Sequence, residues 1–320
     1  MYTKTDILEA DGPGLARAEE VLRGGGLVAF PTETVYGLGA DARNGEAVAR
    51  IYAAKGRPTF NPLIVHVLNQ RDAAELGVFE GPAMDLAAAF WPGPLTMVVP
   101  RRAESGLAPL VSAGLPSVAL RVPSAPVARD LLSSFAGPLA APSANPSGRI
   151  SPTSAAHVSA GLEGIVDAVI DGGTCPVGLE STILGIDGDV VRLLRPGGLA
   201  SEQIEQVLGT DLAPPNSATI TAPGQLSSHY APHAAVRLNV RSPRDDEVWL
   251  GFGPEARGAT LNLSTKGDLV EAAAQLFQHL HELDALGAPI AVSPVPETGL
   301  GRAINDRLRR AAAPKVETGS

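Results

Sequence analysis

Through the first two thirds of the chain, short runs rich in Val, Leu and Ile alternate with segments of helical period. Such runs are long enough for strands and too short for helices, so the chain must interleave a sheet with helices. Residues 27–30 read as a strand after a helix around 15–22, and 63–67 as a strand after a helix around 46–54. Further strands are expected at 95–99, 118–122, 139–141, 169–171, 182–186 and 190–194. The expected class is α/β with a twisted, mixed sheet.

A single core rarely serves 320 residues, which favours two domains. The boundary is expected where apolar periodicity fades and Pro214, Pro215, Pro223 and Pro232 accumulate. We therefore expect a first domain over 1–210, a linker over 211–235 and a second domain over 236–320. In the last part, strands are expected at 236–240, 248–252, 259–263 and 290–293. One helix would carry Leu269, Ala273, Leu276, Phe277, Leu280 and Leu283 on one face, and a second would run over 302–312. Together they make a small Rossmann-like α/β unit.

Composition excludes several functions. With 25 Lys and Arg against 34 Asp and Glu, the net charge of −9 opposes a free-standing nucleic-acid clamp, so little direct nucleic-acid binding is expected. Cys175 is the only cysteine, which rules out an intrachain disulfide and a cysteine-cluster metal site. No run of 18 apolar residues occurs and residues 1–11 lack an apolar signal core, so a cytoplasmic protein is expected.

The common nucleotide signatures are missing. There is no GxxxxGK[ST], and Gly37-Leu38-Gly39 runs on into Ala40, Asp41 and Ala42 without a third glycine. His229 and His233 have a metal-like spacing, but Pro232 breaks the helix that would aim both rings at one ion. No metal ligand is therefore assigned to a side chain.

What remains is a set of loops carrying hydroxyl, amide and basic groups at strand ends, where open α/β sheets bind ligands. They are Pro31-Thr-Glu-Thr-Val-Tyr-Gly37, Lys55-Gly-Arg-Pro-Thr-Phe-Asn-Pro62, Trp91-Pro-Gly-Pro-Leu-Thr96 and Arg121-Val-Pro123. They continue with Pro142-Ser-Ala-Asn-Pro-Ser-Gly148, Ser151-Pro-Thr153, Gly178-Leu-Glu-Ser-Thr182 and Arg195-Pro-Gly-Gly198. Any one of these alone is ordinary turn chemistry.

In this order and spacing the strings resemble the Sua5/YrdC/YwlC family of threonylcarbamoyl-adenylate synthases, over about residues 13–208. The strings His229-Tyr-Ala-Pro232 and Gly299-Leu-Gly-Arg-Ala-Ile-Asn-Asp-Arg307 resemble the second domain and linker of the longer, two-domain Sua5 type. The resemblance implies a YrdC-like catalytic domain with a concave cleft. There ATP, L-threonine and bicarbonate would give threonylcarbamoyl-AMP, the first step of threonylcarbamoyladenosine formation in tRNA.

By the same resemblance Thr34, His66, Arg121, Ala141 and Ser181 would hold L-threonine. Arg57, Asn61, Ser117, Ser143, Ser151 and Arg195 would hold ATP, with Tyr230 closing over the nucleotide as part of a lid. Lys55 and Arg57 would be catalytic, facing the reacting phosphate. Mg2+ would arrive with ATP, and the product would pass to a TsaD/Kae1-type tRNA threonylcarbamoyl transferase.

The residue types suit these roles. ATP and an amino-acid carboxylate are both anionic, so joining them requires fixed cations, and an arginine fork pairs well with carboxylate or phosphate. The hydroxyls of Ser143, Ser147 and Ser151 could donate to phosphate oxygens. Other readings stay open at this level: a core histidine for His66, buried filler for Cys175, a core anchor for Trp91. A double-stranded RNA-binding or ribosome-maturation module is the alternative function.

Overall fold

The computed structural model describes residues 4–214 and 230–314. The first domain begins with β1 (Asp6–Glu9), α1 (Gly12–Arg23), β2 (Val28–Phe30), β3 (Gly37–Asp41), α2 (Gly45–Lys55), β4 (Ile64–His66), α3 (Gln70–Leu76) and α4 (Pro82–Phe90). It continues with β5 (Leu95–Pro100), β6 (Ser117–Arg121), α5 (Pro126–Phe135), β7 (Leu139–Ala140), α6 (Ala155–Leu162), β8 (Ala168–Asp171), β9 (Thr182–Asp187), β10 (Val190–Arg195) and α7 (Ser201–Leu208). Its strands form one ten-stranded mixed sheet in the order β1-β8-β2-β3-β7-β4-β6-β5-β9-β10.

The expected strands all occur, and two others were hidden. β1 is an edge strand paired with β8, alternately exposed and half-exposed, so it leaves a weak apolar signature. β3 falls at Gly37-Leu-Gly-Ala-Asp41, which propensity alone assigns to a loop. Its glycines answer to the antiparallel neighbour β2: a Cβ on Gly39 would stand 2.8 Å from Cε1 of Phe30 and 3.2 Å from the Val28 carbonyl oxygen. Close backbone approach, rather than a turn, requires glycine there.

The helices start where short polar side chains can satisfy free amides. Asn44 accepts from the amides of Glu46 and Ala47 at the head of α2, which ends at Gly56 in the left-handed region. This helix ends in Lys55, and Arg57 follows in the connection to β4.

The second domain contains β11 (Val236–Arg237), β12 (Val248–Gly251), β13 (Leu261–Asn262), α8 (Leu269–Ala285), β14 (Ile290–Val292) and α9 (Gly301–Ala311). Its four strands are parallel, in the order β11-β14-β12-β13. Asp268 caps α8, whose Ala272, Ala273, Leu276, Phe277, Leu280 and Leu283 are buried. Of the expected linker over 211–235, residues 215–229, including His229, lie outside the described residues.

The two domains share a core: Val35, Ile150 and Leu179 of the first pack in one cluster with Leu276, Phe277 and Ile304 of the second. Gly178, at φ +69°, lies so close to α8 that a Cβ there would be 2.5 Å from the Ala273 carbonyl oxygen. Beside this contact His157 of α6 stacks on His281 of α8, ring centroids 3.9 Å apart. His281 Nε2 lies 3.2 Å from the Ser151 carbonyl oxygen and so must carry the proton.

This stack makes the domain interface sensitive to acid. Burial, and then the neighbouring His281, push His157 down from 6.5 to about 4, and burial lowers His281 too. The unfolded chain binds these protons first, so the contribution is complete above pH 6.5 and is lost as pH falls through 4. Thermal midpoints should therefore drop between these values, and His157→Phe should flatten that slope; an unchanged slope would remove the pair from the acid response.

Candidate active site

The strand β6 shows how the site is built. Val118 and Leu120 point into the main core, while Ser117, Ala119 and Arg121 lie on the opposite face by the two-residue alternation of a strand. Arg121 ends the strand beside His66 of β4, its register partner. Loops after β2, β7 and β8 converge on that end with the last residue of β10. They enclose a cavity of about 40 Å³ whose walls include Thr34, His66, Arg121, Ser181, Arg195 and Tyr230.

Arg121 is held by the loop after β2. Its Nη2 donates to Glu33 Oε1 at 2.7 Å and its Nη1 to Thr34 Oγ1 at 2.9 Å, with both charged side chains buried. Glu33 also accepts from the amides of Ser124 and Ala125. Burial opposes its charge, but Arg121 and these amides win and hold the carboxyl below its usual range. Thr32 gives its proton to the Val35 carbonyl, so Thr34 must donate to Thr32, and its oxygen accepts from Arg121. Nε of Arg121 is buried without a partner.

His66 lines the cavity with Nδ1 unpartnered, so it is not a satisfied core histidine. Its ring stands edge-on to Phe30. Burial, followed by the charge of Arg121, pushes its pKa well down and keeps the imidazole neutral. Ser181 and Ala141 are also in the wall, with Ser181 Oγ 2.7 Å from Thr96 Oγ1.

The expected nucleotide residues fall into three groups. Arg57, Ser143, Arg195 and Tyr230 share the cavity wall with the residues above. Arg57 donates to the carbonyls of Asn61 and Pro62, and Arg195 to that of Ser181. Gly197 presses on the same backbone, since a Cβ there would lie 2.4 Å from the Glu180 carbonyl oxygen. Asn61 and Ser151 stand behind the wall. Asn61 leaves Oδ1 buried and unpartnered, whereas Ser151 donates to Glu180 Oε1 at 2.5 Å. Ser151 has one proton, so in this arrangement it offers an oxygen acceptor and cannot donate to phosphate, contrary to the sequence expectation.

Ser117 is not in this cavity. It shares the face of Arg121 but sits four residues back, about 13 Å at strand rise. It opens on a second hollow of about 470 Å³ with Val98, Pro100, Pro116 and Leu194. Between the two lies an apolar strip of Ile64, Val98, Ala119, Ile183 and Leu194.

Lys55 also departs from expectation. Its ammonium is buried and donates to the carbonyls of Ser143 and Asn145, outside the cavity wall. Burial, with Arg57 nearby, pushes its pKa well down. Ser147 N in turn donates to the Lys55 carbonyl. Lys55 therefore shapes the loop 142–148 rather than reaching directly into the cavity.

Three acidic or cross-domain contributors were missed in the sequence: Glu33, Glu180 and Arg307. All lie inside the quoted strings, but a carboxylate in an anion site makes no sense until its guanidinium partner is visible. Arg307 of α9 donates to Glu180 Oε2 at 2.8 Å, and both are buried. Tyr230 is buried, at φ +61°, with its ring between Arg307 at 5.0 Å and Phe277 at 5.6 Å. Cys175 is buried and its thiol pushed up to about 12, which leaves it inert. Trp91 packs edge-on against Phe79.

Comparison with known proteins identifies the family. A family model for Sua5, YciO and YrdC, described as "Telomere recombination", matches residues 20–197, and one described as "Threonylcarbamoyl-AMP synthase, C-terminal domain" matches 199–313. The chain belongs to the two-domain Sua5 family. It is 40% identical to the threonylcarbamoyl-AMP synthase of Bacillus subtilis, over 98% of this chain and 96% of that one. It is 41% identical to the one of Pyrococcus abyssi, over 92% and 93%. The crystal structure of P. abyssi Sua5 complexed with L-threonine superposes with TM-score 0.87 at 37% identity, covering 97% and 98% of the two chains. Escherichia coli YciO shares the fold of the first domain, with TM-score 0.55 at 22% identity over 61% of this chain.

For this Sua5 chain the position of Lys55 yields a test. Lys55→Met leaves the carbonyls of Ser143 and Asn145 without their donor, at about 1–3 kcal/mol each. Both the thermal midpoint and ATP turnover should fall. A variant with lost turnover and a wild-type midpoint would instead give Lys55 a direct chemical role.

Proposed function

We propose that the chain is an L-threonylcarbamoyladenylate synthase, which joins ATP, L-threonine and bicarbonate and releases pyrophosphate. The observation that carries this reading is the shared cavity. A buried Arg121 with neutral His66, Thr34 and Ser181 adjoins Arg57 and Arg195, so groups that suit an amino-acid carboxylate stand beside groups that suit a polyanion. The names of the full-length relatives support it.

In this reading Arg121 pairs with the threonine carboxylate and the unpartnered Nδ1 of His66 meets a polar group of the same substrate. The amine captures CO2 with loss of a proton, or bicarbonate with loss of water, to give N-carboxy-threonine. The new carboxylate attacks the α-phosphorus of ATP, and pyrophosphate leaves in line. The apolar strip beside Ile64 and Val98 suits a purine, Ser117 lies at its far end, and Oδ1 of Asn61 is an acceptor free for the nucleotide. Arg57 and Arg195, both held by neutral oxygens, stabilise charge that builds on the phosphoryl oxygens.

Mg2+ enters on the triphosphate as part of the substrate. Among the described residues no cluster of His, Cys, Asp or Glu is built to hold a metal, and the carboxylate in the wall, Glu180, is engaged by Ser151 and Arg307. The product then serves a TsaD/Kae1-type transferase that modifies position 37 of tRNAs reading ANN codons. Such work belongs in the cytoplasm. Among the described residues no helix is long and apolar enough to cross a membrane.

Purified protein with Mg2+ should release pyrophosphate only when ATP, threonine and bicarbonate are all present. Arg57→Ala should slow that release by roughly a hundredfold or more, the usual effect of removing one electrostatic contact to the transition state. Equal release without threonine would refute the synthase reading. Tight binding of double-stranded RNA at physiological salt would favour the alternative module.

A further inference from the structure

Arg307 belongs to the second domain, yet it is fully buried against the catalytic cavity of the first. Its guanidinium makes three contacts and, among the described residues, leaves Nη2 buried without a partner. Nε donates to Glu180 Oε2, Nη1 to Asp306 Oδ2 at 2.7 Å, and its face lies against the ring of Tyr230. Glu180 in turn takes the Ser151 proton on its other oxygen.

Glu180 therefore stands between two buried guanidiniums, Arg307 and Arg195, and the charges of both act on it. Among the described residues only Arg307 makes an ion pair with it; Arg195 is turned to the carbonyl and hydroxyl of Ser181. A buried carboxylate deprived of its partner is costly and turns to the next cation within reach. Here that cation is Arg195. If Glu180 swung to it, one of two uncompensated charges in the cavity would be quenched, and Ser151 would lose its acceptor.

We infer that Arg307 is a positioning residue for the nucleotide site: by holding Glu180 it keeps Arg195 available to an anionic ligand, so the second domain completes the active site of the first. This rests on the synthase reading. It gives the second domain a task in the reaction itself. The guanidinium acts through Glu180 without touching substrate.

The test is ATP and threonine binding by calorimetry, measured separately, in full-length protein. Arg307→Met should weaken ATP binding by about tenfold or more, the value of one hydrogen bond to a charged group, and change threonine binding by less than about twofold. The double variant Arg307→Met/Glu180→Gln removes the stranded carboxylate and should recover most of the lost ATP affinity. Recovery separates this role from packing, because a domain interface weakened by loss of the guanidinium gains nothing from a neutral residue 180. If Arg307→Met does not fold, Arg307→Gln decides, since a neutral amide leaves Glu180 without its ion pair: ATP binding should weaken and threonine binding should not.

Unchanged ATP affinity in Arg307→Met, failure of the double variant to recover, or equal loss of ATP and threonine binding would each overturn the inference. Wild-type protein that binds no ATP would overturn the synthase reading and this inference with it. Wild-type binding with an unaltered Arg307→Met overturns the inference alone.

Discussion

Burying cations beside one another governs the rest of this structure. Lys55, Arg57, Arg121, Arg195 and Arg307 are all less than a tenth exposed, and each loses hydration that the protein must replace. Two kinds of replacement are used. Lys55, Arg57 and Arg195 are held by backbone carbonyls, whereas Arg121 and Arg307 are held by the carboxylates Glu33 and Glu180. A carbonyl solvates a cation and leaves its charge; a carboxylate cancels it.

That division matches the charges of the two proposed substrates. Threonine carries no net charge, and the Arg121–Glu33 pair with neutral His66 leaves that part of the cavity nearly neutral while Arg121 itself lines the wall. ATP is a polyanion, and Arg57 and Arg195 face the cavity without a carboxylate of their own. The loops obey the same demand: carbonyls can be aimed inward only by irregular backbone, which explains the prolines and glycines of 55–62, 142–148 and 195–198. Gly197, pressed on the Glu180 backbone, fixes the direction of the Ser181 carbonyl that Arg195 uses.

Much of this was legible in the sequence, because strands buried on both faces are continuous runs of Val, Leu and Ile, and the loops between them carry unusual polar strings. The eight apolar runs of the first domain became strands, and Arg121, His66, Ser181, Arg57 and Arg195 came together at one end of the sheet. β3 stayed hidden because its glycines answer to Phe30 of the neighbouring strand, a tertiary contact with no local signature. The carboxylates stayed hidden for the same reason. Glu33 is two residues from Val35, but its meaning comes from Arg121, and that of Glu180 from Arg307, far along the chain. The direction of the Lys55 ammonium was equally invisible, since a lysine on a polar loop ordinarily points to solvent.

Tyr230 shows what joins the halves. A non-glycine residue at φ +61° costs on the order of 1–3 kcal/mol, and such a backbone persists only where its surroundings impose it. Here the ring is fixed between Phe277 and Arg307, and the next amide, Ala231, donates to the Gly148 carbonyl. The residue is thus tied at once to both domains and to the loop shaped by Lys55. The cavity it lines, about 40 Å³, is far below the roughly 300–1,000 Å³ of a small-molecule site, so these walls as they stand do not enclose a whole nucleotide. Arg307, Glu180 and the main-chain hydrogen bonds around Arg195 are mutually braced, whereas Tyr230 sits in a strained backbone. Tyr230 is therefore the wall group whose displacement releases strain as well as contacts.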